Sequence, residues 1–145
     1  MRLPQRGAYV GSPGCGGTRL GTNEKGTMTM DTNFSVKVVK KVPQERIEDL
    51  LVGAFEGGSN YWIRWARTVV ESGKFYEEAF GHGIRVKAQD EKHTRLLNRI
   101  AMEKGLEIMA ADYPKHLADF LDENDDATTA DVFLQCCLYG TLVYG

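Results

Sequence analysis

The segment AFEGGSNYWIRWAR, Ala54 to Arg67, concentrates residue types that suit an anionic, ring-bearing ligand. Gly58, Ser59 and Asn60 stand at the expected start of a helix, where bare backbone N–H groups accommodate a phosphate or carboxylate. Tyr61 and Trp62 supply flat faces for a base or sugar, and Arg64 and Arg67 can pair with anionic oxygens. The same residues also describe a tight αα corner. In that reading Gly57 ends one helix in a left-handed C′ conformation, Ser59 or Asn60 caps the next, and the aromatics fill the core. The residues alone leave both readings open.

Other chemistry finds less support. Counted from Asp122, the acidic loop places Asp122, Asn124 and Asp126 at the first, third and fifth positions of a calcium loop. Ala127 then replaces the turn glycine and Phe133 the bidentate glutamate. His82, His93 and His116 are too scattered to form a helix-borne metal pair, so no metal is expected. Cys136 and Cys137 are adjacent within an apolar run, which makes them free thiols and core filler rather than a nucleophile. Cys15, in a Gly-rich segment, is also expected to be free. No nucleophile elbow, P-loop or dinucleotide fingerprint occurs, so neither a catalytic residue nor a cofactor is assigned.

These residues must be positioned by elements that the hydrophobic pattern outlines. Asn33–Val42 alternates Phe34, Val36 and Val38 as a half-buried strand does. Pro43 suits the first position of a helix whose buried face is Ile47, Leu50, Leu51, Ala54 and Phe55, and whose end is Gly57. Trp62, Trp65, Ala66 and Val69 then predict a second helix from about Asn60 to Ser72. Gly83–Leu97 reads as a hairpin turning at Asp90-Glu91, with Ile84, Val86 and Ala88 facing inward. Asn98 is the expected N-cap of a helix carrying Met102, Leu106, Met109, Ala110 and Tyr113, and Pro114 closes it. A short helix PKHLADFLDE follows. Thr128 or Thr129 is then expected to cap the buried helix VFLQCCLY, which Gly140 closes before a terminal strand TLVYG. The fold class is α+β, a small antiparallel sheet with helices packed on one side.

The chain has 145 residues, 42% hydrophobic and 26% charged, which fits one domain over residues 30–145. Residues 1–29 hold seven of the 16 glycines without periodicity and are expected to be a disordered leader. Codons for Glu24, Lys25 and Gly26 can spell a ribosome-binding sequence. Translation from Met28 or Met30 is one account of the leader, and a flexible basic tail is the other. The formal charge of −2 divides into +3 for residues 1–29 and −5 for the remainder, with five acids between Asp122 and Asp131. Interspersed signs elsewhere make a nucleic-acid partner unexpected. No apolar run approaches the roughly 20 residues of a membrane span, so a cytoplasmic protein without a membrane partner is expected.

Two stretches carry a family resemblance. LLVGAFEGGSNYWI and GLEIMAADYPKHLADFLDENDDATTADVFLQCCLYGTLVYG are similar to a widespread family of small uncharacterised tailed-bacteriophage and prophage proteins. The resemblance spans about Val36 to Gly145. It rests on E-G-G-[SI]-N-Y-W and on D-x-x-T-x-D-V-x-L-Q followed by an aromatic-Gly pair. It implies an accessory protein of infection in a bacterial host cell, and an anti-defence role. The ligand-binding residues would be Gly58, Ser59, Asn60, Tyr61, Trp62, Arg64 and Arg67, holding a nucleotide-derived immune signal of the cyclic oligonucleotide or cyclic ADP-ribose type without turning it over. Two alternatives stay open. One is an inhibitor of a host defence protein or CRISPR complex that uses the acidic stretch Asp119–Asp131. The other is a small hydrolase with an unrecognised site. A homo-oligomer is compatible with each.

Overall fold

The computed structural model describes residues 20–22, 28–71 and 73–145, and the chain divides into two units, Met1–Lys41 and Val42–Gly145. In the first unit β1 (Leu20–Thr22) pairs antiparallel with β2 (Met28–Met30), Leu20 opposite Met30. The rest of the expected disordered leader lies outside the described residues. The strand expected over Asn33–Val42 does not form: residues 31–43 carry no regular structure, and Phe34, Val36, Val38 and Val39 are exposed. Alternation alone cannot make a strand. Its N–H and C=O groups need a neighbouring ladder and its apolar face needs a surface to cover, and Phe34 to Val39 have neither among the described residues.

The second unit is α+β. Helix α1 (Gln44–Gly53) follows Pro43 and buries Ile47, Leu50 and Leu51. A π-helical turn, Ala54–Gly58, leads to β3 (Ile63–Thr68), and α2 (Phe75–Phe80) connects β3 to β4 (Ile84–Ala88). After β5 (Arg95–Leu97) come α3 (Arg99–Asp112), α4 (Pro114–Leu121) and α5 (Ala127–Tyr139). The sheet is antiparallel in the order β3-β4-β5. Ile84, Val86 and Ala88 are buried while Arg85 is exposed, so one face of the sheet meets the core and the other meets solvent.

Helix α5 is the centre of that core. Val132, Phe133, Leu134, Cys136 and Leu138 are all buried, as a helix apolar on most sides requires, and α1 and α3 flank it. Burying Phe133 or Leu134 contributes about 1.5–3 kcal/mol each. Local signals also hold the elements in place. Asn98 accepts the Ala101 N–H at 2.9 Å, Pro114 starts α4 directly after α3, and Gly140 closes α5 in the left-handed region at φ 75°.

Four expectations are corrected here. Gly57 is not a left-handed helix end, because α1 widens into the π turn and the Ser59 N–H reaches back to the Ala54 carbonyl at 2.9 Å. The second helix expected from Asn60 to Ser72 is the strand β3. Trp62, Trp65, Ala66 and Val69 fit a helical period, but a β-rich composition and a bulge between Ile63 and Trp65 fit the edge of β4 better. Asp126, not Thr128 or Thr129, caps α5 by accepting the Thr129 N–H at 2.9 Å. The terminal TLVYG has no strand partner and is held instead by a side chain, Gln135.

Candidate functional site

The corner after α1 is built by close approach. At Gly58 a Cβ would collide with the Ala127 carbonyl, so only glycine lets the π turn touch the start of α5. Beyond it the Ser59 carbonyl accepts from the N–H groups of Trp62 and Ile63, each at 3.2 Å, which coils the chain tightly into β3. Ser59, Tyr61 and Trp62 are thereby turned toward α5.

They converge on Asp131, a carboxylate only 8% exposed. Its Oδ1 accepts from Ser59 Oγ at 2.7 Å and Trp62 Nε1 at 2.8 Å, and its Oδ2 from Tyr61 Oη at 2.7 Å and Gln135 Nε2 at 3.0 Å. Two oxygens offer about four lone-pair sites, so these donors saturate the group. No ion pair is made to it among the described residues. Neutral donors therefore stabilise the buried carboxylate.

Gln135, one turn on, extends the network. Its Oε1 accepts the N–H groups of Val143 and Tyr144 at 2.7 and 2.8 Å, and its Nε2 donates to the Tyr144 carbonyl at 3.1 Å. One side-chain amide thus does the work of a partner strand. It holds Tyr144 flat against Trp62, ring centroids 4.9 Å apart and 6° from parallel, while Tyr144 Oη donates to Asp90 at 2.6 Å.

Beside this network lies an open groove of about 650 Å³, lined among others by Tyr61, His116, Thr128, Asp131, Val143 and Tyr144. Burial, and then the hydrogen bond to Asp131, push the Tyr61 hydroxyl up to about 12. Burial, followed by the hydrogen bond to Asp90, raises Tyr144 as well. Both phenols stay protonated near neutral pH, each donating its proton to a carboxylate and keeping acceptor capacity. The groove presents aromatic rings, hydroxyls and one immobilised negative charge.

Of the residues expected to bind ligand, Gly58, Ser59, Tyr61 and Trp62 gather at Asp131. Ser59 and Trp62 are consumed in holding the carboxylate, Ser59 N-caps no helix, and no helix N-terminus follows Gly58. Asn60 is exposed and makes no side-chain hydrogen bond among those described. Arg64 sits exposed at the β-bulge, and Arg67 lies over the Trp65 ring at 4.4 Å; neither lines the groove. The acidic stretch is largely committed to the fold: Asp119 pairs with Lys115, Asp125 with Arg46, Asp126 caps α5 and Asp131 is buried. Burial drives the Cys136 thiol up to about 11 and Cys137 well above its ordinary range, so both are protonated. Sequence reasoning missed Asp131, Gln135 and Tyr144 as functional candidates. The available signal was a polar pair four residues apart on an otherwise apolar helix.

Among the described residues no cluster of His, Cys, Asp and Glu is placed to hold a metal ion, and no helix is long and apolar enough to cross a membrane. No protein-family model, curated protein or solved structure matches the chain.

Proposed function

We propose that this chain is a non-enzymatic binding protein whose groove takes the base and ribose of a nucleotide-derived ligand. One observation carries the reading: EGGSNYW and DATTADVFLQ, far apart in sequence, meet at Asp131 and together wall the groove. A ring can lie against Tyr61 and Tyr144; the Tyr61 hydroxyl, whose proton goes to Asp131, can accept at its edge, and the Thr128 hydroxyl can accept or donate. The fixed charge of Asp131 repels a phosphate, so the anionic end points out of the groove, past His116. The family resemblance supplies the setting: a phage accessory protein in the bacterial cytoplasm that sequesters a cyclic oligonucleotide or cyclic ADP-ribose type immune signal. Binding without turnover agrees with two protonated thiols, one buried and one half-buried, and a carboxylate whose lone pairs are all engaged.

The test is calorimetric titration of the full chain with cyclic dinucleotides and cyclic ADP-ribose isomers, repeated on Thr128→Trp. Thr128 is exposed in the first turn of α5, so an indole there fills the groove without disturbing the core. Micromolar or tighter binding that Thr128→Trp abolishes at unchanged melting temperature supports the reading. Absence of binding across the panel, or product formation in the recovered ligand, overturns it.

A further inference from the structure

The solvent face of the sheet carries chemistry that the groove does not use. Strand register sets Trp65 opposite Lys87 and Arg67 opposite Arg85, with Leu96 opposite Arg85 on its other side. Directly opposed residues project from the same face, so these five side chains share the face that Ile84, Val86 and Ala88 turn away from. Arg67 and Arg85 are exposed, and the Arg67 guanidinium lies over the half-buried Trp65 ring.

This face has a charge imbalance. Like charges placed directly across a strand pair are unfavourable, yet Arg67 faces Arg85 and Lys87 adjoins them. None of the three forms an ion pair among the described residues, and no carboxylate occupies a paired position on that face. The concentration is local, because residues 30–145 are acidic overall. Three cations without counter-ions among the described residues, beside an indole and its stacked guanidinium, complement a chain of phosphates bearing accessible bases.

We propose that the outer face of β3-β4-β5 binds single-stranded nucleic acid, with Arg67, Arg85 and Lys87 on the phosphates and the Trp65–Arg67 stack as a platform for a base. A duplex is the poorer complement. A three-stranded sheet face has no helix or ribbon to enter a groove, whereas unstacked bases lie readily on indole and guanidinium planes.

The test measures fluorescence anisotropy of labelled 12-nucleotide oligo(dT) and oligo(U), and of a duplex of equal length, with the full chain at 25–200 mM salt. Single strands bind, quench the Trp65 emission, and give a log–log salt slope of about −2, from three cations at about 0.7 each. Arg67→Glu with Arg85→Glu weakens binding at least tenfold. Trp65→Thr weakens it about tenfold and removes the quench. Arg67→Lys with Arg85→Lys keeps the salt slope, and the groove-filling Thr128→Trp changes nothing. If the charge reversal melts the fold, Arg85→Gln with Lys87→Gln reads the same loss. The proposal is overturned if single strands do not bind at 25 mM salt, or if the charge variants bind as wild type does. Equal affinity for duplex overturns it too, as does preferential capture by phosphatidylserine vesicles.

Discussion

Trp62 stands just before β3 and Trp65 within it, and their surroundings are opposite. Trp62 is 2% exposed, donates to a carboxylate and stacks on Tyr144, so every polar group near it is matched inside the fold. Trp65 is half-buried on the outer face beside cations with no acid opposite them. Aromatic and charged residues occur in both places, and only the partners differ. Where donors and acceptor are all satisfied, the cluster stabilises architecture. Where charge is left unmatched, the surface is complementary to something outside the chain.

The sharpest way to break that contrast is Asp131→Ala. It leaves Ser59, Trp62 and Gln135 as buried donors without an acceptor, and the expected loss is on the order of 3–5 kcal/mol by chemical denaturation. A smaller loss would mean that water enters the groove and replaces the carboxylate. Trp62→Phe keeps most of the ring but loses the Nε1 donor and part of the stack, for about 2 kcal/mol. Gly58→Ala forces the π turn off the Ala127 carbonyl and is expected to cost about 1–3 kcal/mol. Gly57→Ala is the control: a Cβ there meets nothing within 4 Å, so stability stays within about 0.5 kcal/mol. Equal effects at the two glycines would refute the close-approach account of the corner.

Local signals were legible in the sequence and the corner was not, for one physical reason. Asn98 as a cap, the Gly83–Leu97 hairpin, Pro114 and Gly140 each act within a few residues of chain, so their residue types are sufficient. The path of Ser59–Thr68 is set by Asp131, about 70 residues away, and by an open edge of β4. Four apolar residues at helical spacing could not reveal either. Ser59, Tyr61 and Trp62 were legible as candidates because aromatics beside Gly-Gly-Ser are unusual, but their common acceptor was hidden in an acidic stretch that looked wholly solvated. The strand expected at Asn33–Val42 fails for the complementary reason: its alternation is real but finds no surface to cover. The sorting of basic residues onto one sheet face is likewise invisible in a list of interspersed charges, and follows only from register.

Alkaline pH offers a gentler probe of the inner cluster. The Tyr61 hydroxyl is pushed up to about 12 from an ordinary 10, first by burial and then by its bond to Asp131. A raised folded-state value means that the protonated phenol contributes stability fully below pH 10, and that this contribution is lost as pH rises through about 12. The difference in melting temperature between wild type and Tyr61→Phe is therefore expected to be constant up to pH 9 and to shrink between pH 10 and 12. Because Tyr61 is 53% exposed, solvent screening keeps the change small. A difference that grows across this window would mean that the fold favours the Tyr61 phenolate and that the hydroxyl does not donate to Asp131.

On the outer face the expected loss of stability is smaller than at Asp131. Trp65→Thr removes a half-buried ring and its contact with Arg67 but leaves a residue that suits a strand, and it touches none of the groups that hold Asp131. A solvent-exposed cation–π contact is worth about 0.5–1 kcal/mol and the covered part of the ring adds roughly 1–2 kcal/mol, so the loss in a denaturant titration should be about 1–3 kcal/mol. Near-UV circular dichroism sharpens the comparison, because the buried, stacked Trp62 gives a band that this variant retains and that Trp62→Phe removes. If Trp65→Thr instead unfolds the protein or erases that band, Trp65 belongs to the core, the outer face is architecture like the inner one, and the unmatched arginines beside it lose their claim to a partner.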